Sequence, residues 1–517
     1  MKRILLSLAV LCIISTTFAQ NKMRVEVQVK GLQDTTLILG YHYGSKKLVA
    51  DTIRVDSKGK GVFKRDTLMD AGLYLVLTPN MRYFEIILDK DQEFKVTTDT
   101  ADLFTNLKFE GSVDNQVFLD YQNKSSDLYK KRKPVFDKLK WYYDIKDTTI
   151  YSKKQREIQR DSIKILQNQL ETIRKEMIAY EDGIIKAYPT SLLSSILLCT
   201  RELDIPDYPR NEKGEITDSL FKYTYMKNHY FDKVQLGDSR LLRTPVYEMK
   251  IENYFDRELL QIPDSIIPEV DKLMGKILEQ EKKGYEGKMY YYTLHHMFMK
   301  YQNPKYMGLD NIFVYIMEQY YLKKKLPAKV IADTAYMAKI EKRYNEMSKN
   351  RIGIKAPNFV AYSNKDEWMQ LNSIQADYIV LYFWDTDCGH CKKTIPEWHD
   401  LYVQNEFKKK GVACILFYTQ TEMEQWKKFI VDKGLDDCIN VFDPYQNTNF
   451  RQNYDIYSTP VSYVLDKNKK IIAKRIPPET IVDLLNHELE RNKKTQNTTN
   501  QKQEQPAPNQ KNTSQKK

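Results

Sequence analysis

Apolar and polar positions follow three different rhythms along the chain. From Met23 to about Ser112, runs such as "MRVEVQV", "TLILGY", "GLYLVLT", "YFEIIL" and "EFKVTT" alternate with period two and are broken at short intervals by Gly, Asp, Asn and Lys. That pattern predicts short strands in an antiparallel, β-sandwich-like domain over residues 20–114. From 115 to 350 the apolar spacing changes to three and four, which predicts an all-α domain. Its clearest element is a helix from about Lys153 to Tyr188, on which Ile163, Leu166, Leu170, Ile173, Met177, Tyr180 and Ile184 form one stripe. Such a stripe must be covered, by other helices of the block or by a second copy in a homodimer. From 351 to 491, β-rich runs ("APNFVAY", "DYIVLYFW", "VACILFYT", "INVFDP") alternate with helical segments, and "PVSYVLD", "KIIAKRI" and a helix near Pro478–Arg491 close the stretch. Strand, helix, strand, helix, hairpin and helix describe an α/β domain around a mixed sheet.

The two ends obey other rules. "MKRILLSLAVLCIISTTFAQ" has a basic start, an apolar run from Ile4 to Ile14 and small residues before Gln20, the anatomy of a signal peptide over residues 1–19 cleaved after Ala19. The run is far short of the roughly 20 residues a bilayer requires, and no later segment is long and apolar enough to span. An exported, soluble protein is therefore expected, in a compartment where disulfides persist. The tail 492–517 has almost no apolar residues and is expected to be disordered.

Length and charge sharpen this picture. Roughly 500 mature residues exceed what one hydrophobic core supports, so several domains are expected. The net charge of +12 suggests nucleic acid until its distribution is considered. The leader holds Lys2 and Arg3 and the tail six lysines against Glu504, so the total falls to +5 over residues 20–491. Cations spread among many acids mark a solvated surface, and no nucleic-acid partner is expected.

Candidate chemistry concentrates in one place. Cys199, in "SLLSSILLCTREL", reads as a buried inert thiol. His295 and His296 are neighbours that point about 100° apart on a helix and read as packing or surface residues. "HYFDKVQLGDSRLLRTP" has the look of a specific signature without assignable chemistry. Cys414 and Cys438 are expected as two buried free thiols, with a disulfide between neighbouring strands as the alternative. The stretch "LYFWDTDCGHCKKTIPEWHD" differs, because Cys388 and Cys391 stand where a strand gives way to a helix. A helix start offers unpaired N–H groups and partial positive charge, which stabilise a thiolate on its first residue. One turn separates the two sulfurs, so they can close a disulfide, with Cys388 attacking and Cys391 resolving. His390, when protonated, would favour the thiolate further. A zinc site would need a second ligand pair; His399 lies on the same helix and there is no second CxxC. No cofactor or metal is implied, since the two cysteines store the electrons themselves.

"FWDTDCGHCKKTIPEW", followed about 70 residues later by "YSTPVSYVLDKNKKII" and preceded by "APNF", resembles the thioredoxin-fold thiol–disulfide oxidoreductases, nearest the exported TlpA/ResA-like branch. The resemblance implies a thioredoxin-like fold for residues 351–491, with Cys388 as nucleophile, Cys391 as resolving cysteine and Gly389 between them. It implies that Pro396 kinks the active-site helix and that Pro460 is a cis-proline facing the dithiol. Thr459 would offer backbone groups to an extended substrate peptide, with Trp384 nearby as a further substrate contact. The implied partners are protein thiols or disulfides and a redox-partner protein, in a periplasmic setting. The two upstream blocks resemble uncharacterised β-rich and helical domains that precede such modules in exported bacterial proteins.

Departures from the family carry information. Tyr382 stands where thioredoxin keeps a buried aspartate, and Thr394 where ResA-like members often place an acid, so Asp385 and Asp387 become the candidate proton acceptors for Cys391. Two other functions are open: a binding or scaffold protein whose thioredoxin-like module recognises partner thiols, and a peroxiredoxin-like peroxidase. Against the second, Leu381 and Asp385 stand where that chemistry uses Pro and Thr.

Overall fold

The structure, a computed structural model, describes residues 22–144 and 153–503. The expected signal peptide, with its cleavage after Ala19, lies outside the described residues. Strands β1 (Met23–Lys30), β2 (Thr36–Tyr43), β3 (Lys46–Arg54), β4 (Lys60–Arg65), β5 (Gly72–Leu77), β6 (Tyr83–Leu88), β7 (Glu93–Asp99) and β8 (Lys108–Glu110) open the chain. They form two four-stranded sheets, ordered β4-β1-β7-β8 and β3-β2-β5-β6. Alternate residues from both, such as Val25, Val27, Phe63 and Val96 from one and Leu39, Val76, Phe84 and Ile86 from the other, meet in a single buried core. Period-two patterning thus builds a sandwich. One pairing departs from the antiparallel expectation: β1 runs parallel to β7. Five strands intervene between them, which supplies the long connection a parallel pair needs.

Helices Val113–Asp144 and Lys153–Ala187 pack against each other, tied by Lys124 Nζ to Glu176 Oε1 at 2.6 Å. Of the predicted stripe, Leu166 and Ile184 are buried and the other five are half-buried. Ile184 joins Phe118, Leu192 and Leu197 against Leu73 and Ile87 of the second sheet. Asn115 completes that contact, since its amide exchanges two 2.8 Å hydrogen bonds with the Ile87 backbone. The "GDSRLLR" segment has a structural use. Arg240 donates to Asp89 Oδ2 at 2.6 Å and to Asp238 Oδ2 at 2.7 Å, and Ser195 donates to Asp238 Oδ2 at 2.7 Å. These charge-assisted bonds satisfy groups that would be costly to bury alone. His295 and His296 each stack on the tyrosine one turn back, Tyr291 and Tyr292.

The described residues divide into two compact units, one of those up to 260 with 275–282, the other of 261–274 with those from 283 onward. The first unit joins the sandwich to the helices that cover it. The second joins the later helices, including Thr334–Met347, to the α/β domain.

That domain contains β9 (Val360–Ser363), β10 (Trp368–Gln370), β11 (Tyr378–Trp384), β12 (Val412–Tyr418), β13 (Ile439–Phe442), β14 (Val461–Asp466) and β15 (Ile471–Lys474). They form one sheet ordered β10-β9-β13-β12-β11-β14-β15, with β11, β12 and β13 parallel and the other pairs antiparallel. Every residue of β11 is buried, as a central strand covered on both faces requires. Tyr378, Val380, Tyr382 and Trp384 face a core built with helices Gly389–Gln404, Met423–Lys433 and Pro478–Gln503, whereas Ile379, Leu381 and Phe383 face Phe359, Phe450, Tyr454 and Ile456. The last helix, expected to end near Arg491, continues to Gln503, twelve residues into the tail expected to be disordered. Once Ile481 and Leu485 have docked the start of the helix, each added residue gains a bond without a new nucleation cost.

Cys414 and Cys438 form a disulfide, which corrects the expectation of two free thiols. β12 and β13 are hydrogen-bonded neighbours, and Cys438 directly precedes β13, so the two Cα atoms come within 4.8 Å.

Candidate active site

Cys388 follows the carboxyl end of β11 and caps the helix Gly389–Gln404, its sulfur accepting the Cys391 N–H at 3.1 Å. The same sulfur lies 3.2 Å from the carbonyl oxygen of Thr459, to which the thiol donates. Thr459–Pro460 is a cis peptide bond immediately before β14. Because β14 pairs with β11, residues some 70 positions apart in sequence meet at one end of the sheet. Both Cys388 and Cys391 are free thiols, the first half-exposed and the second buried.

Opposite environments separate their acidities. Burial raises the Cys388 pKa, but hydrogen bonds from the Cys391 and Thr459 side chains and from the backbone of Cys391 and His390 outweigh it, so the net shift is downward. Burial, followed by the hydrogen bond to Cys388, pushes Cys391 up to about 12. A readily ionised sulfur thus stands at the surface and a reluctant one behind it. Gly389 begins the helix with no neighbour within 4 Å of a hypothetical Cβ, so the space beside it is open. Pro396 lies inside the helix, where its missing N–H removes one rung of the ladder.

One expected role changes. Trp384, expected at the substrate surface, is completely buried between Tyr418 and Phe429, because alternation along β11 turns it into the core. His390 is exposed, and its backbone is among the groups that lower the Cys388 pKa. Neither candidate carboxylate serves Cys391 directly. Asp385 bonds to the Gln420 amide and accepts the Asp387 N–H at 2.8 Å, while its backbone acts on Cys391; Asp387 is exposed. The Tyr382 hydroxyl sits in the buried core, where desolvation raises its pKa strongly. Sequence reasoning missed the ties that hold the loop after β11: Gln420 to Asp385, and Thr386 Oγ1 to Tyr418 OH at 3.1 Å. Those partners come from the end of β12, 32 to 35 residues away, and no local pattern announces them.

This sheet, helix start and cis-proline loop define a thioredoxin-like redox domain. Residues 352–474 match the AhpC/TSA family, and the preceding segments match two domains of unknown function, DUF4369 over residues 23–118 and DUF5106 over residues 202–350. Over 137 residues, the chain is 27% identical to the thiol-disulfide oxidoreductase ResA of Bacillus cereus, covering 26% of this chain and 76% of that protein. A solved domain of a possible thiol-disulfide isomerase from Cytophaga hutchinsonii ATCC 33406 is 41% identical, covering 28% of this chain and 96% of that one, with a TM-score of 0.26. A thioredoxin-like protein from Bacteroides caccae ATCC 43185 is 20% identical, covering 55% of this chain and 98% of that one, with a TM-score of 0.41. The carboxyl-side domain belongs to the thiol–disulfide oxidoreductases of thioredoxin fold. The peroxidase alternative is not favoured, since the curated relative is named a thiol-disulfide oxidoreductase and Leu381 and Asp385 occupy the Pro and Thr positions of peroxidase chemistry. Among the described residues no helix is long and apolar enough to cross a membrane.

Proposed function

We propose that the protein exchanges disulfides with polypeptide substrates through Cys388 and Cys391 after export to the periplasm. The observation that carries this is the double contact of the Cys388 sulfur, at 3.1 Å from the Cys391 N–H and 3.2 Å from the Thr459 carbonyl. Those contacts hold the sulfur at the helix start, beside the backbone on which an extended peptide would lie. In the reducing direction the Cys388 thiolate attacks one sulfur of a substrate disulfide, and the other leaves as a thiolate that takes up a proton. Cys391 then loses its proton and attacks Cys388, which releases the second substrate sulfur. Two electrons pass to the substrate and the Cys388–Cys391 pair becomes a disulfide; the reverse sequence oxidises a substrate dithiol. A compartment that sustains disulfides is supported by the leader-like first 19 residues and by the Cys414–Cys438 bond.

Insulin-disulfide reduction by the full chain tests the proposal, with Cys388→Ser as the control. The expected result is a rate well above background that the substitution returns to background. Equal rates for the two proteins would leave the binding or scaffold function instead.

A further inference from the structure

The loop that meets Cys388 is held from outside the thioredoxin-like domain. Helix Thr334–Met347 precedes that domain in sequence and belongs to the same compact unit. Its Arg343 forks onto Asp455, Nη1 to Oδ1 at 2.5 Å and Nη2 to Oδ2 at 3.3 Å. Arg475 reaches the same carboxylate, at 2.9 Å to Oδ2. Asp455 is buried, and two guanidinium groups offset the cost of taking its charge out of water. It also adopts a left-handed backbone, φ 53°, so the direction in which the chain leaves it toward Tyr457 depends on how it is held.

Two residues on, the same helix takes hold again. The Arg343 guanidinium lies 5.4 Å from the centre of the Tyr457 ring, and the Tyr457 hydroxyl bonds to the Glu346 carboxylate. Arg343 and Glu346 are themselves 3.5 Å apart, so one ion pair on the helix grips two side chains of the loop. Tyr457 is 67% exposed, too open for core packing to fix its ring, which leaves these polar ties to do so. Ser458 and then Thr459 follow, and the Thr459 carbonyl contacts the Cys388 sulfur. Further along the helical segment, Asn350 donates to the Asn453 carbonyl at 3.2 Å, and Lys474 bridges Asn350 and Asp310.

We propose that Arg343 and Glu346 are positioning residues for the Tyr457–Pro460 loop, so that affinity for an incoming peptide disulfide is set in part by the helical region upstream. The proposal rests on the exchange function above. A displacement of Thr459 by a fraction of an ångström changes its contact with an extended peptide more than it changes the sulfur chemistry, because Cys388 keeps its own helix cap. Substrate affinity and rate therefore separate.

The test is single-turnover reduction of a short peptide closed by one disulfide, using the full chain with its dithiol reduced beforehand, over a range of peptide concentrations. Arg343→Ala is expected to raise the half-saturating concentration about fivefold while the limiting rate changes less than about twofold, with Arg343→Lys recovering part of the loss. Tyr457→Phe deletes a single hydroxyl and keeps the ring, and is expected to raise it about twofold, so a folding defect in the arginine variant leaves the question answerable. An unchanged half-saturating concentration in both Arg343→Ala and Tyr457→Phe, or a lowered melting temperature as the sole effect, overturns the proposal. If the wild type itself is no faster than Cys388→Ser, it is the exchange function that has failed.

Discussion

Two cysteine pairs sit within one α/β domain and differ in almost every respect that governs reactivity. Cys388 and Cys391 lie at a helix start beyond the end of β11, as free thiols with one sulfur half-exposed. Cys414 and Cys438 are bonded, 1% and 5% exposed, and packed in the core under the Trp398 indole, whose N–H points at the Cys414 sulfur at 3.4 Å. Residue type is the same in both pairs. What separates them is the surrounding backbone: the first pair meets unpaired N–H groups and solvent, whereas the second meets aromatic rings. Reactivity therefore belongs to the place in the fold, and the two pairs provide internal controls for each other.

The largest contrast is expected from removing one cysteine of each pair. Cys391→Ser leaves Cys388 able to attack but unable to release its partner, so the full chain should accumulate a mixed disulfide and lose at least about a hundredfold in turnover. Cys438→Ser should leave turnover within about threefold of wild type, because a buried structural pair takes no part in exchange. Trapping by the second variant, or none by the first, would erase the distinction between the pairs. Mass spectrometry of the protein after incubation with an oxidised peptide reads both outcomes.

Stability should invert the ranking. The Cys414–Cys438 bond spans 24 residues, and closing a loop of that size removes unfolded-state entropy worth about 3 kcal/mol in the chain-entropy model. The Cys414→Ala/Cys438→Ala double variant should lower the denaturant midpoint of the fluorescence transition reporting on Trp384, Trp398 and Trp426, which share this core. Replacing Cys388 at the surface should hardly move it.

How much of this was legible in the sequence follows from the range of each interaction. Period-two runs exposed the sandwich strands, and the strand-to-helix change around "DCGHC" located the reactive pair, since both are local patterns. Pro460 was legible only through resemblance, because nothing near "YSTPVSYV" reveals that β14 will pair with β11. The parallel β1–β7 pairing, the Cys414–Cys438 bond and the Gln420–Asp385 tie were not legible, as each joins segments 24 or more residues apart. Trp384 misled for a different reason: its neighbourhood in sequence is the active site, but alternation on β11 sends its side chain inward. The grip of Arg343 on Asp455, across 112 positions, was illegible for the same reason.

The smallest expected effect is on acidity, and its sign follows from the geometry. Cys388 has a folded pKa below its ordinary 9.0, so its alkylation by iodoacetamide should reach half its maximal rate at a lower pH than the same cysteine in the denatured chain. Cys391→Ala removes a hydrogen bond that lowers the Cys388 pKa and should move that midpoint up, whereas Cys438→Ala should leave it in place. Linkage extends the argument to stability. A depressed pKa makes Cys388 favour the folded dithiol increasingly as pH rises from its folded value toward 9. The elevated pKa of Cys391, about 12, works in the opposite sense, because between 9 and 12 the unfolded chain ionises this thiol and the folded one does not. The reduced protein should therefore lose stability relative to the oxidised one as pH rises above 9, since closing the Cys388–Cys391 bond abolishes both titrations. Parallel denaturation curves for the two redox forms across that range would show that the inner thiol is not shielded as its burial requires, and the division of labour between the two sulfurs would lose its physical basis.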